Sequence, residues 1–132
     1  MTLVDSNVFM YAAGREHPLK KRAVAFLERA AAGSVEGVID AEVLQEGLHR
    51  YRALKRWKEG RLVYDTARIV FPEALAVTGE VMDRARGLMD EHGRLMARDA
   101  LHAAVVEVYG LASITSFDQD FDRVTGIERV EP

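Results

Sequence analysis

Short apolar runs alternate along this chain with longer stretches in which apolar residues recur every three or four positions. Thr2-Leu3-Val4 is the first short run, and Asp5-Ser6 behind it suits a helix N-cap. A helix is predicted from Asn7 to Ala13, stopped by Gly14. Pro18 is placed to open a second helix, with Leu19, Ala23, Phe26, Leu27 and Ala30 on one face until Gly33. Glu36-Gly37-Val38-Ile39 predicts a second strand, and Asp40 caps a long helix carrying Val43, Leu44, Gly47, Leu48 and Tyr51 on one side. Gly60 predicts a break before a further helix over Arg61 to Phe71, closed by Pro72. Ala74-Leu75-Ala76-Val77 reads as a third strand, and Thr78 caps a helix containing Val81, Met82, Ala85, Leu88 and Met89, with Gly93 after it. The most apolar helix spans Ala97 to Tyr109, with Gly110 as C-cap. Ala112 to Thr115 forms a fourth strand, Asp118 to Val124 a short helical turn, and Ile127 to Val130 a last strand.

Brief, nearly continuous apolar strands separated by helices call for a parallel sheet covered on both faces. The predicted architecture is a three-layer α/β/α sandwich around a mainly parallel sheet of four to five short strands. In such sheets the ligand crevice lies beyond the carboxyl ends of the strands, so residues just after each apolar run carry the chemistry.

Composition narrows the class. With 132 residues, 48% hydrophobic and 30% charged, the chain is expected to form a single globular domain over residues 1–132. It has no cysteine, which excludes disulfides, zinc–thiolate and iron–sulfur sites and a thiol nucleophile. No apolar run approaches the ~20 residues of a membrane helix. The opening residues lack the basic region of a signal peptide, so the expected location is the cytoplasm. The net charge of −3 argues against a general nucleic-acid coat, but its distribution is uneven: +3 over residues 1–61 and −6 over 62–132. Arg50, Arg52, Lys55, Arg56, Lys58 and Arg61 cluster with only Glu59 among them.

Acids occupy the strand ends. Asp5 follows Leu3-Val4, Asp40 follows Val38-Ile39, Asp118 lies just past Ile114-Thr115, and Asp99 starts the most apolar helix. Each of Asp5, Asp40 and Asp118 is also a competent N-cap, worth about 1 kcal/mol. Converging, three or four carboxylates raise each other's pKa, and such clusters are usually retained for a cation. Oxygen ligands alone select a hard ion, Mg²⁺ or Mn²⁺, suited to phosphodiester hydrolysis. Glu42 and Glu46 lie one helical turn apart and are both candidates. Asp120 and Asp122 flank the turn after Asp118. His17, His49, His92 and His102 show no mutual ligand spacing; His102, three residues after Asp99, is within reach of the same neighbourhood but fits a hydrogen-bonded packing role.

These residues carry a resemblance. Leu3-Val4-Asp5-Ser6-Asn7-Val8, the stretch Val43 to Tyr51 around Glu46, Arg98-Asp99-Ala100-Leu101-His102-Ala103-Ala104, and Ile114 to Phe121 followed by Gly126-Ile127 resemble, in order, the four motifs of PIN-domain ribonucleases of the VapC toxin type. The resemblance implies a Mg²⁺- or Mn²⁺-dependent ribonuclease acting on single-stranded or looped RNA. Carried over position by position, Asp5, Glu46, Asp99 and Asp118 form its acidic pocket, with Asp5 and Asp99 as direct metal ligands. Ser6, Asn7 and Ser116 support the pocket, and Asp120 assists. A homodimer and a cognate antitoxin protein are the implied partners. Glu42, in an Ala41-Glu42 context, is the competing acid of the second motif.

The basic run acquires a role in that light: Arg50, Arg52, Lys55 and Arg56 at the rim would bind RNA phosphates, and Tyr51 or Trp57 could stack a base. Phe9, Met10, Phe26 and Leu27 suit either a dimer interface or the core. Two rival readings remain at this level: a non-catalytic PIN-like binding module, and a phosphoryl-accepting receiver-like domain. The second wants paired acids after the first strand and a late lysine, whereas Asp5 stands alone and no lysine follows Lys58.

Overall fold

The computed structural model describes all residues, Met1–Pro132. Five strands, β1 (Thr2–Val4), β2 (Gly37–Asp40), β3 (Ala74–Leu75), β4 (Ser113–Thr115) and β5 (Arg129–Val130), form one sheet in the order β3-β2-β1-β4-β5. Every pairing is parallel. The helices are α1 (Ser6–Ala13), α2 (Lys20–Ala31), α3 (Ala41–Ala53), α4 (Trp57–Val70), α5 (Gly79–Glu91) and α6 (Ala97–Val108), with a 3-10 turn at Gln119–Arg123.

Alternation along the central strands builds the layers. Leu3, paired in register with Val38 and Ile114, faces one core with Leu88, Val105 and Phe121. Val4 and Ile39 face the other, among Phe9, Phe26, Val43 and Phe71. The three-layer sandwich expected from the apolar pattern is therefore present. Its helices divide as α5 and α6 on one face and α1 to α4 on the other. Phe9 and Phe26 are buried core residues with Leu27 packed against them, so these three are interior, whereas Met10 is half-buried and lies outside that cluster.

Local rules placed the caps. Asp40 accepts from the Val43 N–H at 2.9 Å and Thr78 from the Val81 N–H at 3.2 Å. Gly110 ends α6 at φ +66°, a conformation that other residues rarely adopt. One expectation fails. Gly60 does not break a helix: α4 begins at Trp57 and runs through it. A Cβ at Gly60 would stand 2.7 Å from the Tyr51 Cβ, so the glycine is what lets α4 lie against α3. The turn falls instead at Leu54–Arg56, where Lys55 takes φ +57°. The outer strands are also shorter than their apolar runs, two residues each at β3 and β5.

Candidate active site

Parallel pairing brings the carboxyl ends of β1, β2 and β4 to one edge, and the residues just beyond them build a polar network. Asp5, buried, accepts from the Ser6 N–H at 2.7 Å and from the Ser116 hydroxyl at 2.6 Å. The Ser116 Oγ in turn accepts from Asn7 Nδ2 and from the Asp118 N–H, both at 3.0 Å. That hydroxyl is saturated, one donation and two acceptances, and it fixes Asp5, Asn7 and Asp118 relative to each other. Asp118 then accepts from the Asp120 N–H at 2.9 Å, capping the 3-10 turn. The Ser6 hydroxyl reaches across to donate to Glu46 on α3.

Behind Glu46 stands a pairing that no sequence spacing reveals. His102, fully buried on α6, places Nδ1 2.7 Å from Asp40 Oδ2 and Nε2 2.8 Å from Glu46 Oε1. Burial pulls the imidazole pKa down, but the hydrogen bonds to Asp40 and Glu46 outweigh it and raise the ring well above its usual value. A protonated ring donates through both nitrogens, which a neutral one cannot do. Asp40, at the end of β2, is thus enclosed as a cap and as the partner of His102.

Asp5, Glu46, Asp99 and Asp118 all line a single cavity of about 450 Å³, together with Ser6, Asn7 and Arg98. Ligand atoms of Asp5, Glu46 and His102 lie within 4.8 Å of one another, as do those of Asp99, Asp118 and Asp120. Glu46 is buried and faces the cavity; Glu42, one turn earlier, is not among its lining. Among the cations, Arg98 approaches Glu46 at 3.7 Å from the rim, its side chain 64% exposed. Asp5, Asp99, Asp118 and Asp120 have no ion pair in the structure.

That imbalance shows in proton affinity. Burial, then the charges of Asp118 and Asp5, push Asp99 up to about 6. Burial also raises Asp5, against the lowering by His102 and Ser116. The donor set, hard carboxylate oxygens with a surplus of negative charge, fits a divalent cation such as Mg²⁺ or Mn²⁺. A pH consequence follows for metal-free protein. Asp99 carries a proton in both states below its unfolded value near 3.8, and its ionisation disfavours the folded state as pH rises toward about 6. In EDTA, the melting temperature of wild type relative to that of Asp99→Asn should therefore decrease between pH 4 and 6; a constant difference would show that Asp99 is not strained.

The basic run is divided by the fold. Arg50 lines the acidic cavity, and Arg50 and Arg56 line a neighbouring one. Arg52 stacks on Trp57 at 4.3 Å and Lys55 sits exposed at the turn; neither lines these cavities. Arg56 is paired with Glu59.

A parallel five-stranded α/β/α sandwich with acids gathered at its carboxyl edge defines the class: the chain belongs to the PIN-domain family, which it matches over residues 2–127. Among curated proteins it is 42% identical over 130 residues to Ribonuclease VapC13 of Mycobacterium tuberculosis, covering 98% of this chain and 99% of that one. Among the solved structures that share the fold, two illustrate it. One is FitAcB from Neisseria gonorrhoeae, with TM-score 0.75, 19% identity and coverage of 100% and 98%. The other is a toxin–antitoxin complex from Klebsiella pneumoniae, with TM-score 0.68, 18% identity and coverage of 96% and 95%. No helix is long and apolar enough to cross a membrane.

Proposed function

We propose that this protein is a Mg²⁺- or Mn²⁺-dependent endoribonuclease, the toxin of a toxin–antitoxin pair acting on cytoplasmic RNA, held in check by a cognate antitoxin and working as a homodimer. The observation that carries the reading is the convergence of Asp5, Glu46, Asp99 and Asp118 on one hollow without cations enough to balance them. The near-full-length similarity to a named ribonuclease supports RNA as the substrate, and the toxin–antitoxin neighbour supports the partner. A silent binding module would have no use for four buried or half-buried acids on one hollow, two of which, Asp5 and Asp99, are held above the ordinary carboxylate range chiefly by burial.

Asp5 and Asp99 would hold the ion from two groups on the one hollow, Asp5 beside Glu46 and Asp99 beside Asp118 and Asp120. The ion would supply charge neutralisation at the scissile phosphate and acidify an attacking water. The chain's own contribution is positioning. Ser116 and the Ser6 N–H hold both Asp5 oxygens, and Ser6 and His102 hold both Glu46 oxygens, so these carboxylates are oriented before substrate arrives. Glu46, fixed this way, would orient the water or accept its proton. Purified protein should cleave labelled single-stranded RNA in Mn²⁺ and stop in EDTA, resuming when Mn²⁺ is restored. Cleavage that persists in EDTA would remove the metal from the mechanism.

A further inference from the structure

The acidic hollow does not stand alone. On one side it adjoins a cavity of about 530 Å³ between α1, the segment after it and α3; the two share Asn7, Met10, Arg50 and Leu54. On the other side a cavity of about 200 Å³ lies between the α5–α6 connection and the 3-10 turn, sharing Asp99 with the hollow. Arg15 and Arg50 line the first flank, Arg94 and Arg123 the second. None of the four arginines forms an ion pair, whereas Arg22, Arg84 and Arg129 are held by carboxylates. The flanks also contain acids, Glu16 on the first and Asp120 and the shared Asp99 on the second, but the Glu16 side chain is 97% exposed and Asp120 turns toward Asp99 and Asp118. Within the larger flank Tyr11 packs against His17 with centroids 4.8 Å apart and edge-on against Phe117 at 5.3 Å, and both Tyr11 and His17 line the cavity beside the cations.

We infer that these three cavities form one track for single-stranded RNA, with the cleaved phosphate over the acids, neighbouring phosphates held by Arg15 and Arg50 on one side and by Arg94 and Arg123 on the other, and a base against Tyr11 and His17. The inference rests on reading the hollow as a ribonuclease site. A polyanion entering an acidic hollow is repelled except where the ion sits, so holding the strand falls to cations on either side. Cations on both sides also suit a strand that continues in both directions, which is what internal cleavage requires. Unpaired arginines serve here because their charge is not already committed and their planar forks match phosphate.

The test is binding of a 12-nucleotide single-stranded RNA to the full chain in EDTA, where cleavage stops, measured across a salt series. Each phosphate contact contributes about 0.7 to the slope of log affinity against log salt on single strands. Arg15→Gln and Arg123→Gln should each lower the slope by about 0.7, and the double variant by about 1.4. Arg15→Lys, which keeps the charge, should restore most of the slope, which a fold defect would not allow. Arg86→Gln on α5, outside all three cavities, serves as the control. Slopes equal to wild type in both variants overturn the track, and a change on one flank alone overturns its two-sided form. Wild type that cleaves RNA in Mn²⁺ while both variants bind normally would sink the track and spare the ribonuclease reading; wild type that neither cleaves nor binds RNA sinks both.

Discussion

Asp99→Asn is expected to lower RNA cleavage by more than about 100-fold, since even partners one shell outside a metal cost 10–100-fold when lost. The same substitution should leave the metal-free protein as stable as wild type at pH 7, or more stable. The two effects have one origin. Asp99 is half-buried and has no hydrogen-bond or salt-bridge partner in the structure, so its charge is opposed by Asp118 and Asp5 and relieved only in part by His102. An amide of the same shape removes the repulsion together with the ligand. Cleavage assays in Mn²⁺ and thermal melts in EDTA check both halves. A variant that loses activity because it no longer folds would contradict the account as firmly as one that retains activity. Asp5→Asn should also lose cleavage but gains less stability, because both Asp5 oxygens already accept hydrogen bonds that an amide cannot reproduce in full.

His102→Leu should destabilise the protein by about 3–5 kcal/mol, the usual cost of removing one partner from a buried ion pair. The leucine leaves Asp40 and Glu46 enclosed without the donor between them, and neither is solvated well enough to recover the loss. Chemical denaturation at pH 7 in EDTA measures the effect. His102→Gln should lose less, because the amide can donate to one of the two carboxylates. Equal stability of wild type and His102→Leu would show that the Asp40–His102–Glu46 chain is incidental.

What could be read from the chain depended on whether the deciding interaction was local. Asp5, Asp40 and Thr78 announce themselves because a strand end followed by a cap residue is a rule about four or five neighbours, and Gly110 because a C-cap is one too. The alternation of Leu3 with Val4 and of Val38 with Ile39 carried the sheet and both cores. Gly60 was misread because a glycine that ends a helix and one that lets two helices touch look the same along the sequence; only the Tyr51 contact separates them. Glu42 and Glu46 share a helix face at one-turn spacing, and the choice between them is made by Ser6 and His102, 40 and 56 residues away. His102 itself gave a faint signal, a polar ring amid Ala100, Leu101, Ala103 and Ala104, but its two acidic partners come from other elements. The basic run showed density of charge and not direction: Arg50 turns to the cavities while Arg52 turns to Trp57. Arg15, Arg94 and Arg123 are scattered along the chain, and no spacing joins them.

The most direct test of the acidic hollow is calorimetric titration of Mn²⁺ into EDTA-stripped wild-type protein and into Asp5→Asn and Asp99→Asn at pH 7. Saturable binding to wild type that is abolished or weakened at least about tenfold in each variant is the predicted result. Equal Mn²⁺ binding by all three proteins, or none by wild type, would contradict it.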